Sequence, residues 1–320
     1  MDYLLMIDSI PKMNCSVIIP VYNGAETIPF LIERLDQVLP GIAEEYEAIL
    51  VNDGSLDQSW NRIVELADRY RWVTGLNLAR NYGQHNALLC AIRQAQYEVV
   101  ITMDDDLQHP PEEIPNLLAK LQEGYDVVYG IPRCHKQVWW RSLFAKLTKR
   151  AVAFVMRTKS VRDIGSFRAL RTHLREAFED FNSPEVILDV LLSWATDRFA
   201  FVSVEESPRN SGGSNYNFWK LVRVALTVMV SFSTAPLRLA SIIGFLFTLV
   251  GVGVFTYVLV IYFSAGSVPG FPFLASIISL FSGAQLFALG IIGEYLARVY
   301  DRTATRPCFV IKETTAGQRV

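Results

Sequence analysis

The sequence predicts an α/β fold: a doubly wound, mostly parallel sheet followed by two C-terminal transmembrane helices. Three observations predict it. Between residues 15 and 130, short apolar runs alternate with helical patterns, as in a parallel sheet wrapped by crossover helices. Three carboxylates, Asp104, Asp105 and Asp106, stand where one of those runs ends. Near the other end of the chain, Ala240 to Phe263 and Phe271 to Gly293 carry no charged residue. Each is about 23 residues or longer, enough for a bilayer core of about 30 Å.

Taken in order, residues 15–21 (CSVIIPV) read as a first strand, and Ile28, Leu31, Ile32 and Leu35 mark one face of a following helix. Residues 46–51 form a second strand ending at Asn52-Asp53-Gly54-Ser55, and Trp60, Ile63, Val64 and Ala67 a second helix. A third strand spans 72–78, with a helix from 84 to about 96. The acidic run closes the fourth strand, a helix covers 112–122, a fifth strand 126–129 and a late strand 199–204. No Gly-x-Gly-x-x-Gly follows the first strand, which argues against a dinucleotide-dependent dehydrogenase. The stretch 137–156 is basic and amphipathic, with Trp139 and Trp140 at its start; it either covers the sheet or rests on lipid headgroups.

At 320 residues the chain can bury a full core and carry an appendage. Its mean hydropathy of +0.24 is high for a soluble protein, and the apolar excess is C-terminal. A formal net charge of −2 says nothing decisive about partners, and no Lys/Arg run suggests nucleic acid. The four cysteines are far apart, with no Cys-x-x-Cys, which suits a reducing compartment. Residues 1–10 contain Asp2 and Asp8 and do not read as a secretory leader. Arg223 and Arg238 precede the apolar runs and Arg298, Arg302 and Arg306 follow them. The positive-inside rule then puts both termini in the cytoplasm, the inner membrane in a bacterium. The expected division is a cytosolic domain over 1–216, an interfacial helix over 217–235, two spans over 236–300 and a cytosolic tail over 301–320. Oligomeric state stays open, a homo-oligomer included.

In an open α/β sheet, ligands bind outside the carboxyl ends of the strands, which is where the acidic run falls. Alternation along an extended chain would point Asp104 and Asp106 one way and Asp105 the other. With the Gln108 amide oxygen, that pair offers hard oxygen donors for Mg²⁺ or Mn²⁺ completed by substrate phosphates. The plain alternative is an acidic turn with an N-capping aspartate before a helix opened by Pro110-Pro111.

Five stretches come in order: Pro20-Val21-Tyr22-Asn23, Asn52-Asp53-Gly54-Ser55, Arg80-Asn81-Tyr82-Gly83-Gln84, residues 103–111 (MDDDLQHPP) and Asp163-Ile164-Gly165-Ser166-Phe167-Arg168. Together with the membrane pair they resemble the inverting glycosyltransferase family 2. Within it they are similar to polyprenyl-phosphate glycosyltransferases of the bactoprenol glucosyltransferase and dolichol-phosphate mannose synthase type. The resemblance runs to about residue 306 and implies a nucleotide-diphospho-sugar transferase domain, Rossmann-like and of GT-A type. It implies that Pro20, Tyr22, Asn23, Asp53 and Arg80 contact the nucleotide. Asp104, Asp106 and Gln108 would hold the metal, with Asp105 beside the donor, and Arg133 and Arg209 would bind phosphates. Asp163 would guide the acceptor, or else cap a helix or turn; Asp106 serves catalysis through the metal. Glu185 and Asp189 are lesser acid candidates, read as solvated helix-face groups.

The implied reaction is inverting transfer of a hexose from a nucleotide sugar, UDP-glucose favoured, to undecaprenyl phosphate at a membrane. The alternatives are another sugar (aminoarabinose, mannose or N-acetylhexosamine), or a non-catalytic scaffold that binds nucleotide or lipid. A processive polysaccharide synthase is disfavoured, because Gln137-Val138-Trp139-Trp140-Arg141 does not match Gln-x-x-Arg-Trp. Two positions depart from the family pattern. Gly24 stands where a glutamate is usual, and Asn215 replaces a lysine in Gly212-Gly213-Ser214-Asn215-Tyr216, where Lys220 or Arg209 would have to substitute.

Overall fold

A computed structural model describes residues 12–132, 165–182, 186–205, 235–265, 270–303 and 307–316. The chain divides into two compact units, 1–215 with 305–320, and 216–304. The first unit is built on one eight-stranded sheet of order β7-β5-β6-β4-β1-β2-β3-β8. Its strands are β1 (Cys15–Val21), β2 (Tyr46–Asn52), β3 (Val73–Leu78), β4 (Val99–Thr102), β5 (Val127–Pro132), β6 (Arg168–Arg171), β7 (Phe199–Val204) and β8 (Ile311–Thr314). The helices between them are α1 (Ile28–Ile42), α2 (Ser59–Arg69), α3 (Gln84–Gln94), α4 (Ile114–Gln122) and α5 (Leu188–Ala195).

Every residue of β1 is buried, because helices cover both faces of the sheet. Val17, Ile19 and Val21 join the core under α1, α2 and α4, whereas Ile18 joins the core under α3 and α5. Strands β4, β1, β2 and β3 are mutually parallel. Strand β1 is flanked by β2 on one side and β4 on the other, so the connections that leave its end diverge. Divergence of this kind opens a crevice at the carboxyl ends of the strands.

The sheet is mostly parallel, as expected, but mixed: β6 and β8 run against the other six strands. Strand β6 lies antiparallel between β4 and β5, and β8 lies antiparallel along β3. Neither has a strand signature: each is four residues long, β6 reads RALR and β8 reads IKET. They are strands because the edges of β4, β5 and β3 present unpaired backbone groups that a short segment can satisfy. The segment 301–320, expected as a tail, thus supplies a strand of the sheet.

The second unit contains α6 (Ala235–Ala265) and α7 (Phe271–Thr303). Phe247 meets Phe281 edge-on with ring centroids 5.8 Å apart. Phe245, Phe255 and Leu286 are exposed. The hydroxyls of Ser241, Thr248, Thr256 and Ser264 bond to carbonyls one turn back in α6, which satisfies them within their own helix. Among the described residues one helix is long and apolar enough to cross a membrane, Ala240–Ile261, with 22 residues. Two spans were expected. The second expectation coincides with α7, in which the apolar helix found among the described residues is Phe281–Ala297. The expected stretches 137–156 and 217–233 lie outside the described residues.

The C-terminal strand has a checkable energetic role. The buried backbone N–H of Gly75 donates to the Thr315 hydroxyl at 2.8 Å, and the Thr315 N–H returns a bond to the Gly75 carbonyl. Thr315→Val keeps the shape and strands a buried donor. Thermal melts in detergent should show a loss of about 1–3 kcal/mol, and an unchanged melting temperature would show that the edge pairing contributes nothing.

Candidate active site

A cleft of about 520 Å³ opens at the switch between β1 and β4. Its wall combines Pro20 near the end of β1, Tyr22 and Asn23 just after it, Asp53 after β2, Asn81, Gly83 and Gln84 after β3, and Asp104, Asp105 and Asp106 after β4. Seven of the residues singled out in the sequence therefore meet in one place. Among the described residues the wall does not include Arg80 or Gln108. The Arg80 guanidinium instead stacks 4.7 Å from the centroid of the Tyr82 ring. The Gln108 backbone N–H donates to Asp106 Oδ1 at 3.1 Å, an Asx turn in which Leu107 takes a left-handed φ of 60°. Arg133, Asp163, Arg209 and Glu185 lie outside the described residues, as do Lys220 and the motif 212–216.

The loops that form the cleft are tied to one another by side chains. Backbone N–H groups of Asn23, Gly24 and Ala25 donate to Ser55 Oγ, Ser59 Oγ and Asp57 Oδ2, at 3.0, 3.0 and 3.1 Å. Asn23 Oδ1 accepts the Leu56 N–H at 2.9 Å, so that side chain serves the loop. Asp53 accepts the N–H groups of Tyr82 and Gly83 at 2.7 and 2.8 Å. Burial pushes its carboxyl up while these two bonds pull it down, with burial prevailing. Between these loops Gly54 adopts φ +64°, and a Cβ there would lie 2.4 Å from the Asn81 backbone nitrogen. Ser55 was read only as part of the motif Asn52-Asp53-Gly54-Ser55, and Asp57 and Ser59 were not singled out, although a run of Asn, Asp, Gly and Ser is a turn signal.

The acidic cluster is arranged differently from the expected alternation. Strand β4 stops at Thr102, so strand alternation does not extend to residues 104–106, and all three aspartates line the cleft. Asp104 is gripped on both oxygens, by Gln84 Nε2 at 2.6 Å and Ser166 Oγ at 2.5 Å. Its carboxyl is pushed up, mainly by burial and against the Ser166 bond. Asp105 turns toward Gly24, where a Cβ would stand 2.1 Å from its Oδ2. That oxygen is buried without a hydrogen-bond partner, and burial raises the Asp105 carboxyl to about 7. Asp189, expected on a solvated face, is instead buried and ion-paired with the buried Arg168.

Among the described residues no three His, Cys, Asp or Glu side chains converge as a ready metal site. Two carboxylates in an open cleft match a hard cation that takes its remaining ligands from phosphates and water. The donor set therefore fits Mg²⁺ or Mn²⁺ through Asp104 and Asp106.

Residues 16–179 match the model of glycosyl transferase family 2. The chain belongs to that family. The family 2 chain is 37% identical over 314 residues to the undecaprenyl-phosphate 4-deoxy-4-formamido-L-arabinose transferase of Proteus mirabilis (strain HI4320), covering 96% of each protein. It is 36% identical to the protein of that name from Shewanella sediminis (strain HAW-EB3), covering 95% of this chain and 93% of that one. The resemblance to polyprenyl-phosphate glycosyltransferases is thereby borne out, and this family 2 protein is an enzyme. A crystal structure of glucosyl-3-phosphoglycerate synthase from Mycobacterium tuberculosis superposes with a TM-score of 0.51 at 18% identity, covering 72% of this chain and 83% of that one. A second, containing Mn²⁺, UDP and glucosyl-3-phosphoglycerate, gives 0.50 at 17%, covering 71% and 80%. These likenesses establish the GT-A-like fold.

The raised Asp105 carboxyl gives a pH signature for the metal-free protein. With its ordinary value near 3.9 lifted to about 7, the native state keeps a proton that the unfolded chain has released. Stability from this group is thus present at low pH and lost as pH rises through 7. Asp105→Asn cannot ionise, so in EDTA its melting temperature relative to wild type should be higher at pH 8 than at pH 5. The same difference at both pH values would contradict the raised value.

Proposed function

We propose that this enzyme transfers 4-deoxy-4-formamido-L-arabinose from a uridine diphosphate donor to undecaprenyl phosphate, at the cytoplasmic face of a membrane. The observation that carries the reading is the full-length correspondence with transferases of that name, together with an acidic cleft at the β1/β4 switch. UDP-glucose, favoured from the motifs, has no support from these relatives, whose names carry the formamido-pentose. Support for uridine is limited to the motif resemblance and a fold neighbour solved with UDP and Mn²⁺.

In this reading Pro20 and Tyr22 flank the nucleotide, and Asp53 fixes the loop that closes over it. Each Asp53 oxygen, already accepting one backbone bond, keeps a second lone pair for the base. Asp104 and Asp106 hold the divalent cation, which when bound neutralises charge on the departing diphosphate. The acceptor phosphate is already anionic near pH 7. It can attack the anomeric carbon without a strong base, so positioning and charge neutralisation account for most of the rate. Asp163 is the proposed guide for that phosphate, and Arg133 and Arg209 its proposed countercharges. The span Ala240–Ile261 would hold the cleft near an acceptor whose lipid tail cannot leave the bilayer. The flanking arginines support cytoplasmic termini, with 1–216 as the cytosolic part and 217–235 at the interface.

Purified enzyme with Mn²⁺, undecaprenyl phosphate and the UDP-linked formamido sugar should yield a lipid-linked pentose detectable by mass spectrometry. UDP-glucose should yield none, and glucosyl lipid as the main product would overturn the sugar assignment. Asp106→Asn should reduce transfer by about 100-fold or more, the scale of losing one charge-stabilising group, without changing folding. Full activity in that variant would remove the metal assignment.

A further inference from the structure

We propose that the buried Arg168–Asp189 pair is a positioning device: acting through Thr102 and Ser166, it aims the Asp104 carboxylate into the cleft. The inference rests on the reading of Asp104 as a metal ligand.

The contacts form an unbroken chain. Arg168, on β6, is 1% exposed and ion-pairs with Asp189 on α5. The Tyr129 hydroxyl donates to the same Asp189 oxygen at 3.0 Å, and the guanidinium lies 5.5 Å from the centroid of the Tyr129 ring. Arg168 Nε donates to Thr102 Oγ1 at 3.1 Å. The Thr102 hydroxyl donates in turn to the Ser166 carbonyl at 2.5 Å. Ser166 Oγ then donates to Asp104 Oδ2 at 2.5 Å.

Each link has a direction, and the order is forced by chemistry. A guanidinium can only donate, so Thr102 Oγ1 must accept from it and has its single proton left for the Ser166 carbonyl. That bond holds the Ser166 backbone, and with it the hydroxyl that grips Asp104. The far side of Asp104 is held from the same region. Gln84 donates to Oδ1, and the next residue, His85, accepts the Leu188 N–H at 3.4 Å, one residue before Asp189.

If burying a charge pair served only stability, hydrophobic residues of similar volume could replace it at little or no loss. A built polar chain that ends on a cleft carboxylate has a further use. It removes rotamer freedom from that carboxylate before a ligand arrives, as outer-shell partners do for metal ligands.

The test is an EPR titration of Mn²⁺ into the metal-free, full-length protein with UDP present, for Thr102→Val, Thr102→Ser, Ser166→Ala and Asp104→Asn. Thr102→Val and Ser166→Ala should raise the Mn²⁺ dissociation constant about tenfold or more, and Thr102→Ser, which keeps the hydroxyl, should restore it. A lowered melting temperature with wild-type Mn²⁺ affinity in Thr102→Val and Ser166→Ala overturns the inference and leaves the metal reading standing. Should Thr102→Val not fold, Ser166→Ala, which leaves the buried pair intact, decides alone. Wild-type affinity in Asp104→Asn overturns the metal reading and the inference with it.

Discussion

The connectivity around β1 is the constraint on which the remainder of the molecule depends. A strand paired with β2 on one side and β4 on the other sends its outgoing loop into the gap between two diverging connections. The Asp53 N–H reaches the Val21 carbonyl at 2.9 Å, and polar side chains satisfy further loop amides. Ser55, Ser59 and Asp57 do so for the turn after β1, and Asp53 does so for the turn before α3. The crevice is thus lined by polar groups held from behind, which is what a site needs to meet charged phosphates without first reorganising.

Burial inside the cleft sets the electrostatics. Asp104 and Asp105 are both pushed upward, burial being the larger cause in each case. The two neighbouring carboxylates are supported to different degrees. Asp104 receives hydrogen bonds on both oxygens, while Asp105 has an oxygen with none and the higher carboxyl value. Gly24 belongs to the same arrangement, because the volume in which its side chain would stand is taken by the Asp105 carboxylate. The departure from the family pattern at position 24 is therefore a packing relation with position 105, and not simply a lost contact.

The second unit distributes its polar and apolar groups differently. Its hydroxyls bond within their own helix and its large apolar side chains face outward, the reverse of the sheet domain, where β1 is wholly buried. The sheet domain in turn is completed by β8, from beyond the apolar helices in sequence, so the C-terminal residues are structural for the domain that carries the cleft.

Much of this was legible from order and pattern. Short apolar runs placed β1 to β5 and β7, and a period of 3.6 placed the helices between the first five strands, since a strand buried on both faces is apolar throughout whereas a helix is buried along one stripe. The strand-end motifs named Pro20, Asp53 and the three aspartates, because ligand sites of open sheets fall at strand ends. Four-residue strands such as β6 and β8 leave no such period, so only pairing with an exposed edge reveals them. The facing of Asp105, the Asn23 amide bonded to the loop and the Gln108 backbone held by Asp106 were decided by where β4 ends and how the loops bond. Arg168 and Asp189 stand 21 residues apart and look like surface charges in the sequence. Only the packed fold makes them a buried pair, because a charge can be buried where its partner arrives from another element, and sequence distance carries no record of that meeting.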